Sequence, residues 1–160
     1  MFEEILVRHP FFHQLKPDQL REIALHCEQL NYETGEYIFK EGKKADRFFL
    51  VLHGQVALEI HDPGRGPLII QTLCDEDLMG WSWLFSPNRW HFDARAVKPT
   101  RLLAIEGSWL HEQIEADPKL GYLFMSRVAQ IMFDRLQATR LQLMDIYSKE
   151  PAQPMRGRKL

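Results

Sequence analysis

Hydrophobic positions divide the chain into a helical start, a central run of strands and a helical end. Over residues 1–30, apolar residues recur every three or four positions, which is the spacing of amphipathic helices. Residues 31–107 carry short β-prone runs separated by glycine and proline turns. Helical spacing returns over 108–148, and the segment 149–160 has no periodicity and is predicted to be a flexible tail. This order predicts an α+β fold, mainly β: an antiparallel β-roll or jelly roll (double-stranded β-helix), N-terminal helices and a long C-terminal dimerisation helix.

The central segment contains five candidate strands. Each run is short and rich in β-branched, aromatic or aliphatic residues, and turn residues follow it. The regular spacing of such runs is typical of small antiparallel barrels and sandwiches. The runs are 37–39, 48–52, 56–60, 68–73 and 94–105, the last with a turn signal at Lys98 and Pro99.

The long helix predicted from Asp117 and Pro118 to about Ser148 carries two apolar stripes. One stripe alternates spacings of three and four over about three heptads, as coiled-coil seams do. The other would face the β-roll of the same chain. Since one chain offers a single surface for two stripes, we favour a parallel homodimer through residues 125–146; the alternative is a helix buried in its own core. The seam is Met125, Ala129, Met132, Leu136, Thr139, Leu143 and Ile146, and the second stripe is Leu120, Leu123, Phe124, Val128 and Ile131.

Composition narrows the classes of function. A net charge of −2 over 160 residues provides no basic face for nucleic acid. No apolar run approaches the 18–20 residues of a membrane span, and the N-terminus does not resemble a signal peptide, so we expect a cytoplasmic protein. Cys27 and Cys74 lack metal-ligand spacing and are predicted to be buried free thiols. Because no nucleophile–base pair, paired carboxylates or phosphate loop stands out, we expect neither an enzyme nor a metal site.

Four short motifs occur in the order typical of one superfamily. The sequence FFHQL at 11–15 resembles the opening of cyclic-nucleotide-binding domains, EYIFKEG at 36–42 their first strand and turn, and FFLVLHGQV at 48–56 their next hairpin. RLQAT at 135–139 resembles the dimer helix of bacterial catabolite-activator proteins. The resemblance covers about residues 9–147. It implies a sensory domain with the fold predicted above.

The segment 78–97 lies where this family has its phosphate-binding cassette, and it holds three of the four tryptophans. In the family, a Gly-Glu pair opens the cassette and an arginine closes it, so that N–H groups and a guanidinium hold the cyclic phosphate while the glutamate binds the ribose. Gly80 matches the glycine, but Trp81 takes the glutamate position and Trp90 the arginine position. An indole has one donor and no acceptor. Each lost charge-assisted hydrogen bond costs about 1.5–3 kcal/mol, or roughly ten- to a hundredfold in affinity.

Three interpretations of the cassette follow. Its tryptophans form an aromatic slot for another flat or apolar ligand, or they fill the vacated cavity, or Arg89 takes over the arginine role in a genuine cyclic nucleotide sensor. Adjacent strand residues face opposite sides, which argues against Arg89 and Trp90 both lining a pocket.

The resemblance adds three further candidate residues. His91 stands at a position that contacts phosphate in the family, Thr139 matches a base-contacting residue of the dimer helix, and Arg140 adds charge nearby. The candidate ligand-binding residues are therefore Gly80, Trp81, Ser82, Trp83, Arg89, Trp90, His91, Thr139 and Arg140.

The sequence thus predicts a stand-alone regulatory domain that senses a small ligand other than cAMP or cGMP, or acts through protein contacts. The alternative is a ligand-free structural or interaction module. Catabolite activators continue beyond the dimer helix into a winged helix-turn-helix domain, whereas this chain stops. We therefore expect a protein effector partner and no direct binding to DNA or membrane.

Overall fold

Eight antiparallel strands form two four-stranded sheets in a computed structural model that describes residues 1–149. The strands are β1 (Cys27–Tyr32), β2 (Tyr37–Phe39), β3 (Arg47–His53), β4 (Val56–Asp62), β5 (Gly66–Leu73), β6 (Leu78–Met79), β7 (Asp93–Ala96) and β8 (Thr100–Glu106). One sheet has the order β1-β8-β3-β6 and the other β2-β7-β4-β5. The predicted α+β fold with an antiparallel β-roll is confirmed.

Helices precede and follow the two sheets. Asp117 caps the last helix, because its Oδ1 accepts hydrogen bonds from the backbone N–H of Lys119 at 3.1 Å and of Leu120 at 3.3 Å. That helix extends through the predicted Ser148 to Lys149, the last described residue. None of the helices within residues 1–149 has the length and apolarity that crossing a bilayer requires. The helices are α1 (Phe2–Arg8), α2 (Pro17–Leu25), α3 (Gly107–Ala116) and α4 (Pro118–Lys149), with 3-10 turns at Pro10–Phe12 and Ser82–Leu84.

The chain forms two compact units, Met1–Met125 and a second that begins at Ser126. In the first unit, the start of α4 packs on aromatic residues: the Phe11 ring lies 5.2 Å from that of Phe124 and 5.4 Å from that of Phe48. The second unit is the remainder of α4. Its predicted seam is exposed in the single chain, at Met132, Leu136, Leu143 and Ile146. The predicted flexible tail lies, from residue 150 on, outside the described residues.

The segment 1–30, predicted to be helical, is helical only as far as Leu25. β1 starts at Cys27, which pairs with Ile105 of β8. Cys27 still completes the helical spacing, since its Sγ donates to the Ile23 carbonyl at 3.2 Å. Backbone pairing with a strand almost 80 positions away therefore ends a pattern that local spacing alone would continue.

The two thiols differ in environment. Cys27 is half-buried, and burial raises the pKa of its thiol to about 12. Cys74 is exposed, so the expectation of a buried thiol is wrong there. Cys74 follows the edge strand β5, where the chain turns and the backbone N–H of Cys74 donates to the Asp77 carboxylate at 2.8 Å. The turn places the side chain outside the core.

A carboxylate holds the β3–β4 turn against the loop after β5. Asp75 Oδ1 accepts from the Gly54 N–H at 2.9 Å, and Asp75 Oδ2 lies 3.3 Å from His53 Nδ1. Gly54 has φ +114°, and a Cβ there would lie 2.5 Å from the Pro99 carbonyl oxygen, so the turn requires glycine. The hydrogen bonds from Gly54 and then His53 lower the pKa of Asp75.

This lowered pKa predicts an acid-dependent contribution to stability. Because the folded-state pKa of Asp75 lies below the unfolded value of 3.8, the stabilisation is present above that value and is lost as the pH falls through the folded pKa. We expect Asp75→Asn to lower the free energy of unfolding at pH 7. The difference from the parent chain should shrink in urea titrations as the pH falls below 3.8 and the carboxylate becomes protonated in both states. A difference that is unchanged across this range would contradict the assignment.

Candidate functional site

The cassette begins at Gly80, directly after β6, in a conformation that only glycine adopts easily. Its φ is +86°, and a Cβ would lie 2.8 Å from the Arg47 carbonyl oxygen and 2.9 Å from Phe49 Cδ2. The Gly80 carbonyl accepts the indole N–H of Trp83 at 2.7 Å. The chain's own packing therefore accounts for this glycine without any ligand.

Trp83 joins the cassette to the helices of the first unit. It lies in the short 3-10 turn with the buried Ser82, and its own side chain is buried. Its ring lies 6.0 Å from that of Phe124 at the start of α4. It also packs against Gly107, where a Cβ would come within 2.8 Å of Trp83 Cγ. Trp83 is a core residue of this junction.

Trp90 lies between the two sheets and is only 4% exposed. Its ring stacks on Phe39 of β2, with centroids 3.9 Å apart and planes 13° apart, and tilts against Phe49 of β3 at 6.3 Å. Backbone hydrogen bonds fix the residue in place: the Trp90 N–H donates to Lys43, and its carbonyl accepts from the Gly42 N–H. Aromatic rings thus occupy the position at which the family resemblance places a phosphate-binding arginine.

The residues on either side of Trp90 point away from it. Arg89 is exposed, and its Nη1 donates to the Gly42 carbonyl at 2.7 Å. His91 is exposed as well. Arg89 therefore binds the protein's own backbone at the surface, whereas its neighbour Trp90 is buried.

A second arginine of the cassette is committed to an internal ion pair. Arg95 Nε donates to Glu59 Oε1 at 2.9 Å, and this hydrogen bond raises the pKa of Arg95. Glu59 is 1% exposed, and its Oε2 has no hydrogen-bond partner within the described chain. Since removing the guanidinium would leave a buried carboxylate uncompensated, Arg95 serves the fold in this arrangement.

The structure brings together only some of the predicted ligand-binding residues. Gly80 and Trp90 lie close together, because a Cβ on Gly80 would lie 3.3 Å from Trp90 Cη2. Trp81 is half-buried. Thr139 and Arg140 lie exposed on α4 in the second unit, where Thr139 Oγ1 donates to the carbonyl of Arg135, four positions earlier, at 2.9 Å.

Sequence reasoning missed the two phenylalanines against which Trp90 packs. Phe39 lies in a three-residue strand whose register with β7 is irregular, so alternation could not assign it to a face. Phe49 lies in β3, where four consecutive residues are buried and no alternation is visible. The described residues also contain no group of three or more His, Cys, Asp or Glu side chains placed to hold a metal ion.

Residues 29–117 match the family model of the cyclic nucleotide-binding domain. The chain belongs to this family. The match includes the whole cassette and all strands except the first two residues of β1. It ends at Asp117, before α4 begins.

The proteins similar to this chain include transcriptional regulators and a protein named for cyclic nucleotide binding. A crystal structure of a Geobacter metallireducens GS-15 protein, named for cyclic nucleotide binding, is 34% identical, covers 85% of this chain and 98% of its own, and superposes with a TM-score of 0.76. The sensor domain of the transcriptional regulator DNR from Pseudomonas aeruginosa shares the fold at 20% identity, with coverages of 84% and 91% and a TM-score of 0.70. A Mycobacterium tuberculosis protein, the CRP-like cAMP-activated global transcriptional regulator, is 20% identical over 144 residues. The alignment takes in 90% of this chain and 62% of that regulator's length.

Proposed function

We propose that this chain is a dimeric regulatory domain whose cassette is closed to cyclic nucleotides and which acts through protein contacts. The stacking of Trp90 on Phe39, at 3.9 Å between the two sheets, is the observation that carries the proposal. In the family, this position offers an arginine to the cyclic phosphate. Here it offers a buried indole, which has one N–H donor and no positive charge to pair with an anion.

The two arginines of the cassette do not replace the lost anchors. Arg89 donates to the Gly42 carbonyl, and Arg95 is held by Glu59. Freeing either guanidinium would cost the hydrogen bonds it already makes. At the other anchor position, Trp81 provides no acceptor for a ribose hydroxyl. Although one relative is named for activation by cAMP, these contacts support a regulatory signal other than cAMP for this chain.

The exposed face of α4 supports a homodimer whose paired helices transmit the regulatory signal. Met132, Leu136, Leu143 and Ile146 recur at coiled-coil spacing, and all are exposed in the single chain. Pairing two such helices would remove these side chains from water. A regulatory signal would then be a change in which partner protein the paired helices or the β-roll contact.

A second candidate keeps a ligand but changes its chemistry. Trp81 is half-buried beside the buried Ser82, so part of an indole is accessible at the family's ribose position. Such a surface favours a flat or apolar molecule over a charged one.

Calorimetric titration of the native chain tests the proposal. With cAMP or cGMP we expect no saturable heat, because two charge-assisted contacts are missing. Saturable binding tighter than about 10 μM would overturn the proposal, and its loss in Arg89→Ala would establish Arg89 as the substitute anchor. If a flat apolar metabolite raises the melting temperature, and if Trp81→Ala makes this rise smaller, the second candidate is favoured.

A further inference from the structure

A cavity of about 190 Å³ lies among the helices of the first unit, away from the cassette. α2, α3 and the first turns of α4 surround it. Most of its wall is apolar and includes Ile23 of α2, Trp109 and Leu110 of α3, and Leu120 and Leu123 of α4. An apolar cavity of about 150 Å³ holds benzene, so this one has room for a single ring with a short chain.

The charged side chains that line this cavity are all carboxylates: Asp18, Glu22 and Asp117. Asp18 and Glu22 are four positions apart on α2 and so share one face of the helix. Asp117 uses Oδ1 to cap α4, while its Oδ2 has only a long 3.4 Å contact from the Gln19 amide. Arg21 pairs with Asp18 but does not line the cavity. In the described chain, no lysine, arginine or histidine lines it either.

The aromatic part of the wall is held in a fixed orientation. Trp109 stacks on His26, with centroids 4.0 Å apart and planes 13° apart. A tryptophan ring attracts cations through its quadrupole. The cavity thus combines apolar volume, a fixed indole and three carboxylates, of which Asp18 is paired with Arg21 outside the cavity.

We propose that this cavity binds a small organic cation, a primary ammonium on a single aromatic or branched apolar body. The apolar body would fill the space beside Ile23 and Leu123, and the ammonium would lie at the carboxylates of α2 and Asp117. A neutral molecule of the same shape loses the charge complementarity, and an anion is repelled. The proposal is independent of the cassette and of what it binds.

The test compares three probes of matched shape: phenethylammonium, 2-phenylethanol and phenylacetate. Proton–nitrogen correlation spectra of the native chain report each tryptophan indole N–H separately. At low salt, where charge interactions are least screened, phenethylammonium should shift the Trp109 signal and leave that of Trp90 in place. Its affinity should exceed that of the alcohol by about threefold or more, and phenylacetate should not bind.

Two substitutions assign the effect to the cavity. Glu22→Gln should weaken phenethylammonium by about threefold and leave 2-phenylethanol unchanged, whereas Glu112→Gln, an exposed glutamate of α3 that does not line the cavity, should change neither. Equal binding of all three probes would show an unselective void and overturn the proposal. So would the absence of binding in the native chain, or shifts at the Trp81 and Trp90 signals instead of Trp109. Each of these results comes from the native chain and does not depend on a variant folding.

Discussion

Trp90→Ala is expected to lower the free energy of unfolding by about 3–5 kcal/mol, the range for truncating a large buried aromatic side chain. Trp90 is 4% exposed and stacks on Phe39 at 3.9 Å between the two sheets. Its loss removes a contact that joins β2 to β3 and leaves a cavity that rigid strands cannot close fully. Urea unfolding followed by circular dichroism measures the change.

Two comparisons make this prediction specific. Phe85→Ala removes an aromatic ring that is 43% exposed in the same cassette and should cost less than about 1.5 kcal/mol. Added indole should raise the melting temperature of the Trp90→Ala variant and not that of the parent chain, because only the variant has an empty site of that shape. A loss of stability for Trp90→Ala no larger than that for Phe85→Ala would show that Trp90 does not fill the roll. The proposal of a closed cassette would fall with it.

Leu136→Asp is expected to convert the proposed dimer into a monomer. Leu136 is in the middle of the seam and 59% exposed in the single chain. In a parallel homodimer, the substitution would place two carboxylates face to face in an apolar interface, where each buried unpaired charge costs several kcal/mol. The dissociation constant should therefore rise by at least about a hundredfold, which sedimentation velocity can measure.

Leu141→Asp is the matched control, because it makes the same change on the same helix at a residue that is 66% exposed but outside the seam. It carries the same loss of helix propensity as Leu136→Asp. We expect it to leave the dissociation constant within about threefold of the parent value. If the native chain is monomeric, or if both variants weaken association equally, the seam is not the dimer interface.

Local pattern was sufficient for most of the element order. Asp117 and Pro118 mark the start of α4 because capping and the fixed φ of proline act within one turn. Glycine at turns such as Gly54 marks strand ends for the same local reason. By contrast, the two-residue strand β6 is too short for any periodicity, and it exists only because Leu78 and Met79 pair with β3.

The candidate site likewise has features that the sequence predicts and features that depend on the tertiary structure. The motif order by itself predicted the cassette and the absence of its two charged anchors, because residue types are read directly from the sequence. Only the tertiary structure showed that Trp90 packs on Phe39 and Phe49, that Arg89 is bound to Gly42, and that β1 replaces the last predicted turn of helix. These contacts join residues 40 to 80 positions apart, and their partners follow from which strands meet across the two sheets. Local spacing determines whether a segment forms a helix or a strand, whereas the partner of each side chain depends on how distant segments are brought together.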